Sequence, residues 1–152
     1  MVVTPTPTPV PTLVPIPTKD PDCSGGLEWA RALGPIHTRR QELEARALPQ
    51  ENTNQSNADF CAEMEQAYRD LVLDVTDLPT PRAARPARDA LIAYLENWAR
   101  YFANYYQAWL LRSTNAERSR SYADAAEACK EESTTLWVAG RDALADFLVR
   151  CP

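Results

Sequence analysis

From Trp29 to Cys151 the apolar residues of this chain recur every three to four positions, and no stretch shows a convincing strand-like alternation. Side chains at that period share one face of an α-helix, so the body has to fold by packing helix on helix. Trp29, Leu33, Ile36, Arg40, Leu43 and Ala47 form a first stripe that stops before Pro49. Gly34-Pro35 lies inside it and predicts a kink or a restart. Arg40 on the apolar face is read as a snorkelling side chain or one paired with a carboxylate.

A second stripe, Cys61, Met64, Tyr68, Leu71, Val75 and Leu78, has the 3-4 spacing of a heptad seam and ends at "LPTP". Thr80 with Pro81 in the first turn, or else Pro86, then opens a third helix. Leu91, Tyr94, Leu95, Trp98, Tyr101, Phe102, Tyr105 and Trp109 cover so wide a face of it that more than one helix must pack there. The fourth helix is expected to start with a Thr114/Glu117 capping box and to carry Cys129, Leu136, Gly140, Leu144, Phe147 and Cys151 near one stripe. Gly140 on that stripe predicts the close approach of a large neighbour.

Helices at about 25–48, 57–78, 82–112 and 115–150 with short connections predict an all-α fold, an antiparallel up-down-up-down four-helix bundle. The long polar connection "LPQENTNQSNAD" holds the sequon Asn54-Gln55-Ser56, a glycosylation acceptor in a host that modifies asparagine.

The first 22 residues cannot join that bundle. Pro5, Pro7, Pro9, Pro11, Pro15, Pro17 and Pro21 remove backbone donors and hold the segment extended. As polyproline II, Thr4 to Thr18 would span about 45 Å at about 3.1 Å per residue. Residues 1–22 are therefore read as a Thr/Pro stalk or linker, and 23–152 as the bundle.

Cys23, Cys61, Cys129 and Cys151 form an even set with no metal-ligand or redox spacing, the pattern of structural disulfides. Helix lengths bring Cys23 to Cys151 at one end and Cys61 to Cys129 at the other, although helices two and four are diagonal in a square bundle. With this pairing the third and fourth helices overshoot the others. Their connecting tip, with Tyr105, Tyr106, Trp109, Arg112, Arg118, Arg120 and Tyr122, becomes the candidate binding surface, because aromatic and arginine side chains dominate binding hot spots.

A net charge of −5 argues against nucleic acid as a partner, and no run is long enough to span a bilayer. His37 is the only histidine, and no catalytic triad, di-iron motif or phosphate loop is present. No enzyme, metal or cofactor is expected. The reading is an exported or cell-surface bundle on a stalk, its signal or anchor outside this chain, that binds a protein or a surface ligand. Two alternatives stand beside it. One is a filament or array subunit whose tail docks on a neighbour. The other is a small-ligand sensor ectodomain, which requires a cavity between the third helix's aromatics and the first helix's kink.

Overall fold

The computed structural model describes residues 1–12 and 20–152. Residues 1–12 are exposed and form no helix or strand. The remainder of the expected Thr4–Thr18 spacer lies outside the described residues. A 3-10 turn, Pro21–Cys23, leads into four helices: α1 (Gly26–Glu44), α2 (Asn54–Asp77), α3 (Arg85–Leu111) and α4 (Ala116–Arg150). No strand occurs among the described residues.

The elements differ from the sequence reading mainly at their ends. α1 passes through Pro35 without a break and stops at Glu44, short of the expected 48. Pro35 has no N–H for the Arg31 carbonyl, but Arg31 is on the exposed side, where water serves that oxygen. The last expected turn has nothing to pack on, as the 74% exposure of Leu48 shows. α2 begins one turn early because Thr53 caps it: the Thr53 hydroxyl accepts from the Ser56 N–H, and Ser56 Oγ accepts from the Thr53 N–H. The sequon Asn54-Gln55-Ser56 is thus the first turn of a helix. α3 follows a second 3-10 turn, Arg82–Ala84, with Pro86 at its start. α4 is capped by Asn115, whose side chain accepts from the Arg118 N–H, and not by the expected Thr114/Glu117 box.

α3 is the central helix. It packs closely against α2 on one side and α4 on the other, while α2 and α4 have no comparable contact. Between α2 and α3 the core is aromatic: Tyr68 stacks on Trp98 and Phe102, with Leu71, Val75 and Leu95 fully buried beside them. Between α3 and α4 the contacts are smaller and more polar. Asn97, fully buried, donates to the Cys129 carbonyl at 2.6 Å, and Ser119 Oγ donates to the Ala108 carbonyl at 2.7 Å. A buried amide that must find one particular carbonyl sets the register of the two helices.

α1 is held differently. Its closest backbone approach is to α2, where Arg39 pairs with Asp74 and Arg46, just past the helix, with Glu63. Toward α3 and α4 it stands off by the length of large side chains, among them Trp29 edge-on to Phe147 with ring centroids 5.3 Å apart. At the entry to α1 the chain turns at Gly25, whose φ of 78° suits glycine alone. A Cβ on the next residue, Gly26, would meet the Phe147 ring at 3.0 Å.

Cys23 and Cys151 form a disulfide with Cα atoms 5.5 Å apart, tying the start of α1 to the end of α4. Cys61 and Cys129 are free thiols, which corrects the expected second bridge. The reason is the central position of α3: α2, with Cys61, and α4, with Cys129, each pack closely on it and have no comparable contact with each other. Burial pushes the Cys61 thiol up to about 11, so it is neutral and unreactive at physiological pH.

Beside the disulfide, Arg150 is clamped by two carboxylates, Nε to Asp20 and Nη2 to Asp22, each at 2.8 Å. The hydrogen bond from Arg150 holds the Asp20 carboxyl below its ordinary 3.8. A group whose pKa is depressed by folding contributes stability above its unfolded value and loses it as pH falls through the folded one. The wild type should therefore be more stable than Asp20→Asn above the ordinary carboxylate range, and the difference should shrink as pH falls below 3.8. Melting temperatures of both proteins across that range are the check.

Candidate functional site

The stand-off of α1 leaves a cleft of about 280 Å³ between α1, α3 and α4. Its walls follow from the helix stripes. α1 contributes Trp29 and Leu33 one turn apart, then His37 and Arg40 on the same face beyond Pro35. α3 contributes Leu91 and Tyr94, and α4 contributes Leu136 and Leu144. The space exists partly because Gly140 has no side chain. A Cβ there would meet nothing closer than the Ala90 methyl at 3.9 Å. The expected close approach of a large neighbour at Gly140 is corrected: the glycine opens room and does not relieve crowding.

The polar groups of the cleft cluster at the Arg40 end. Arg40 is almost wholly buried, with 9% of its side chain exposed. Its Nη1 donates to Glu44 Oε1 at 2.6 Å, and Tyr94 OH donates to the same oxygen at 3.1 Å. Its guanidinium carbon lies 4.7 Å from the ring centre of Trp137, which is 40% exposed at the cleft's edge. Burial, and then the Arg40 charge, lower the His37 pKa from 6.5, so that imidazole is neutral at pH 7. Burial also raises the Tyr94 pKa, with Glu44 adding to it, so its phenol stays protonated and able to donate. The indole N–H of Trp29 is buried with no acceptor. A neutral imidazole, a phenol and a cation around an apolar slot are suited to holding and orienting a ligand.

The candidate surface at the α3–α4 connection is not a pocket. Tyr105 is half-buried, its ring edge-on to Tyr101 and its OH donating to Glu127. Trp109 is half-buried with the Arg112 guanidinium 4.8 Å from its ring centre. Tyr106 and Tyr122 are half-buried; Arg112, Arg118 and Arg120 are exposed. The structure thus joins Trp109 to Arg112 and Tyr105 to Glu127, and records no contact that gathers the seven into one site. What leaves these aromatics uncovered is the early end of α1. Glu44 sits at the level of Tyr94, so the 17 residues of α3 beyond Tyr94, ending at Leu111 and about 25 Å long at 1.5 Å per residue, extend past it.

Trp137 was not legible as a site residue from the sequence, because it sits at the edge of the α4 stripe. Arg40 was legible only as an anomaly on an apolar face. Among the described residues no group of three or more His, Cys, Asp or Glu is placed to hold a metal ion, and no helix is long and apolar enough to cross a membrane. Comparison with protein-family models, curated proteins and solved structures finds no match to this chain.

Proposed function

We propose that this chain is a non-enzymatic, exported sensor or carrier domain that binds a small, mainly apolar ligand in the α1/α3/α4 cleft. The observation that carries the reading is the cleft itself, an apolar space of about 280 Å³ next to the α1 Pro35 turn, with a buried arginine in its wall. Apolar pockets with a few fixed polar groups are the usual form of small-molecule sites, and spaces between helices are a common place for them. The Cys23–Cys151 disulfide supports an oxidising compartment, and the Thr/Pro tail supports presentation at a surface. The scaffold we infer is an up-down-up-down bundle. Its support is the opposed order of contacts between successive helices: Arg39 with Asp74 and Arg46 with Glu63, Phe60 with Phe102 and Tyr68 with Trp98, Tyr94 with Trp137 and Asn97 with Cys129.

Gly140→Leu tests the cleft. The added Cβ has room, and the rest of the side chain enters the cleft. Removing a glycine from a helix interior stabilises by roughly 0.5–1 kcal/mol. The expected result is a melting temperature equal to or above wild type together with loss of ligand-observed NMR signals from a library of small apolar compounds. Hits that survive in Gly140→Leu would place binding elsewhere.

A second reading, a protein-binding surface at the α3–α4 tip, is favoured by the half-buried Tyr106 and Trp109 that α1 leaves uncovered. Replacing both with alanine should leave the melting temperature within a few degrees of wild type if they serve a partner, since they contribute little to the buried core. A large drop would make them structural.

A further inference from the structure

We infer that the ligand of the α1/α3/α4 cleft is an apolar monocarboxylate whose charged end is bound by Arg40. This rests on the cleft being a ligand site and goes further by naming the chemistry of its occupant.

A guanidinium carries five N–H donors in a fixed fork. Among the described residues Arg40 uses one nitrogen, Nη1, and a single oxygen of Glu44. Its Nε is buried without a partner, and among the described residues Nη2 makes no hydrogen bond. Glu44 does not serve that second edge: its Oε1 accepts from Nη1 and from the Tyr94 hydroxyl. A buried donor left idle on a cation is costly unless another acceptor completes it.

The charges around the space give the sign of that acceptor. The chain has a net charge of −5 and 21 acidic residues, yet among the described residues no Asp or Glu lines the cleft, and Glu44 engages only one nitrogen of Arg40. Its charged lining residues are Arg40 and Arg141, and among the described residues Arg141 has only its sequence neighbour Asp142 at 3.4 Å as a partner. The Arg40 guanidinium lies over the Trp137 ring, and its planar fork is the group with which arginine binds carboxylates side-on. Away from this end the walls are Leu33, Leu91, Leu136 and Leu144, which suit a hydrocarbon body and offer it no hydrogen bond.

The experiment is calorimetric titration of the full chain with octanoate and 4-phenylbutyrate, each against the matching alcohol, octan-1-ol and 4-phenylbutan-1-ol. The acids are expected to bind more tightly than the alcohols by on the order of tenfold or more, the size of a hydrogen bond to a charged group. Arg40→Gln should remove the preference, bringing the acid-to-alcohol ratio close to one. Its folding is checked by circular dichroism. Should it not fold, the acid-to-alcohol ratio in the wild type decides alone. Gly140→Leu should abolish both.

Equal binding of acids and alcohols, lost in Gly140→Leu, overturns the carboxylate and leaves the cleft as a ligand site. An acid preference that persists in a folded Arg40→Gln overturns the role of Arg40. Acid binding that persists in Gly140→Leu, or no binding of any of the four compounds, overturns both the inference and the cleft reading on which it rests.

Discussion

Reduction of the Cys23–Cys151 disulfide is expected to destabilise the folded chain by about 4 kcal/mol, a shift of roughly 2 M in the urea midpoint for a domain of this size. The bond joins residues 128 apart, so in the unfolded chain it closes nearly the whole body into one loop. The loss of chain entropy on closing a loop of that length is close to about 5 kcal/mol, and measured values usually fall somewhat below it. The native state needs the bond for a second reason. α1 meets α3 and α4 through long side chains and not by close backbone packing, so its start is held by Trp29, Phe147 and the disulfide. Denaturation with and without reductant measures the effect. The Cys61→Ser/Cys129→Ser variant should show the same reductant-dependent shift, because neither thiol is bridged. Thiol titration of the unreduced, unfolded chain should find two free thiols. Finding none would restore a second bridge.

The helices were legible because each buried stripe repeats at the helical period. Met64, Tyr68, Leu71 and Val75 are read from spacing and are buried. What spacing does not contain is the distance between helices. The stripe of α1 continues to Ala47, but a helix extends only as far as its apolar face is covered, and beyond Glu44 the apolar Ala45, Ala47 and Leu48 are exposed. The Cys61–Cys129 bridge was drawn from lengths along the helices. Length places residues at a level and says nothing of which helix stands between them, and here it is α3. The α2 cap was missed because Ser56 takes the place that Glu or Gln holds in the familiar box. The cleft was foreseen only as a condition of one alternative. Gly140 on a buried stripe means either a close neighbour or an empty space, and only the 3.9 Å to Ala90 distinguishes them.

Trp29→Ala should cost about 3–5 kcal/mol, the usual range for removing a buried aromatic side chain. Trp29 is 2% exposed, stands edge-on to Phe147 and forms the cleft wall nearest the disulfide, so its loss takes away the main contact between α1 and the end of α4. The cavity cannot close by simple collapse, since Cys23–Cys151 holds the two helix ends at a set distance. The indole N–H already lacks an acceptor, so Trp29→Phe sheds an unpaired donor along with part of the ring and should cost much less than alanine. Thermal and urea unfolding of both variants separate packing from polarity. A large loss for Phe close to that for Ala would mean that the N–H does find a partner in solution. The disulfide and Trp29 secure the same end of α1, so reducing the bond in Trp29→Ala should add less than it does in the wild type. If the two losses add in full, α1 is held along its whole length and its stand-off from α3 and α4, the origin of the cleft, would have to be reconsidered.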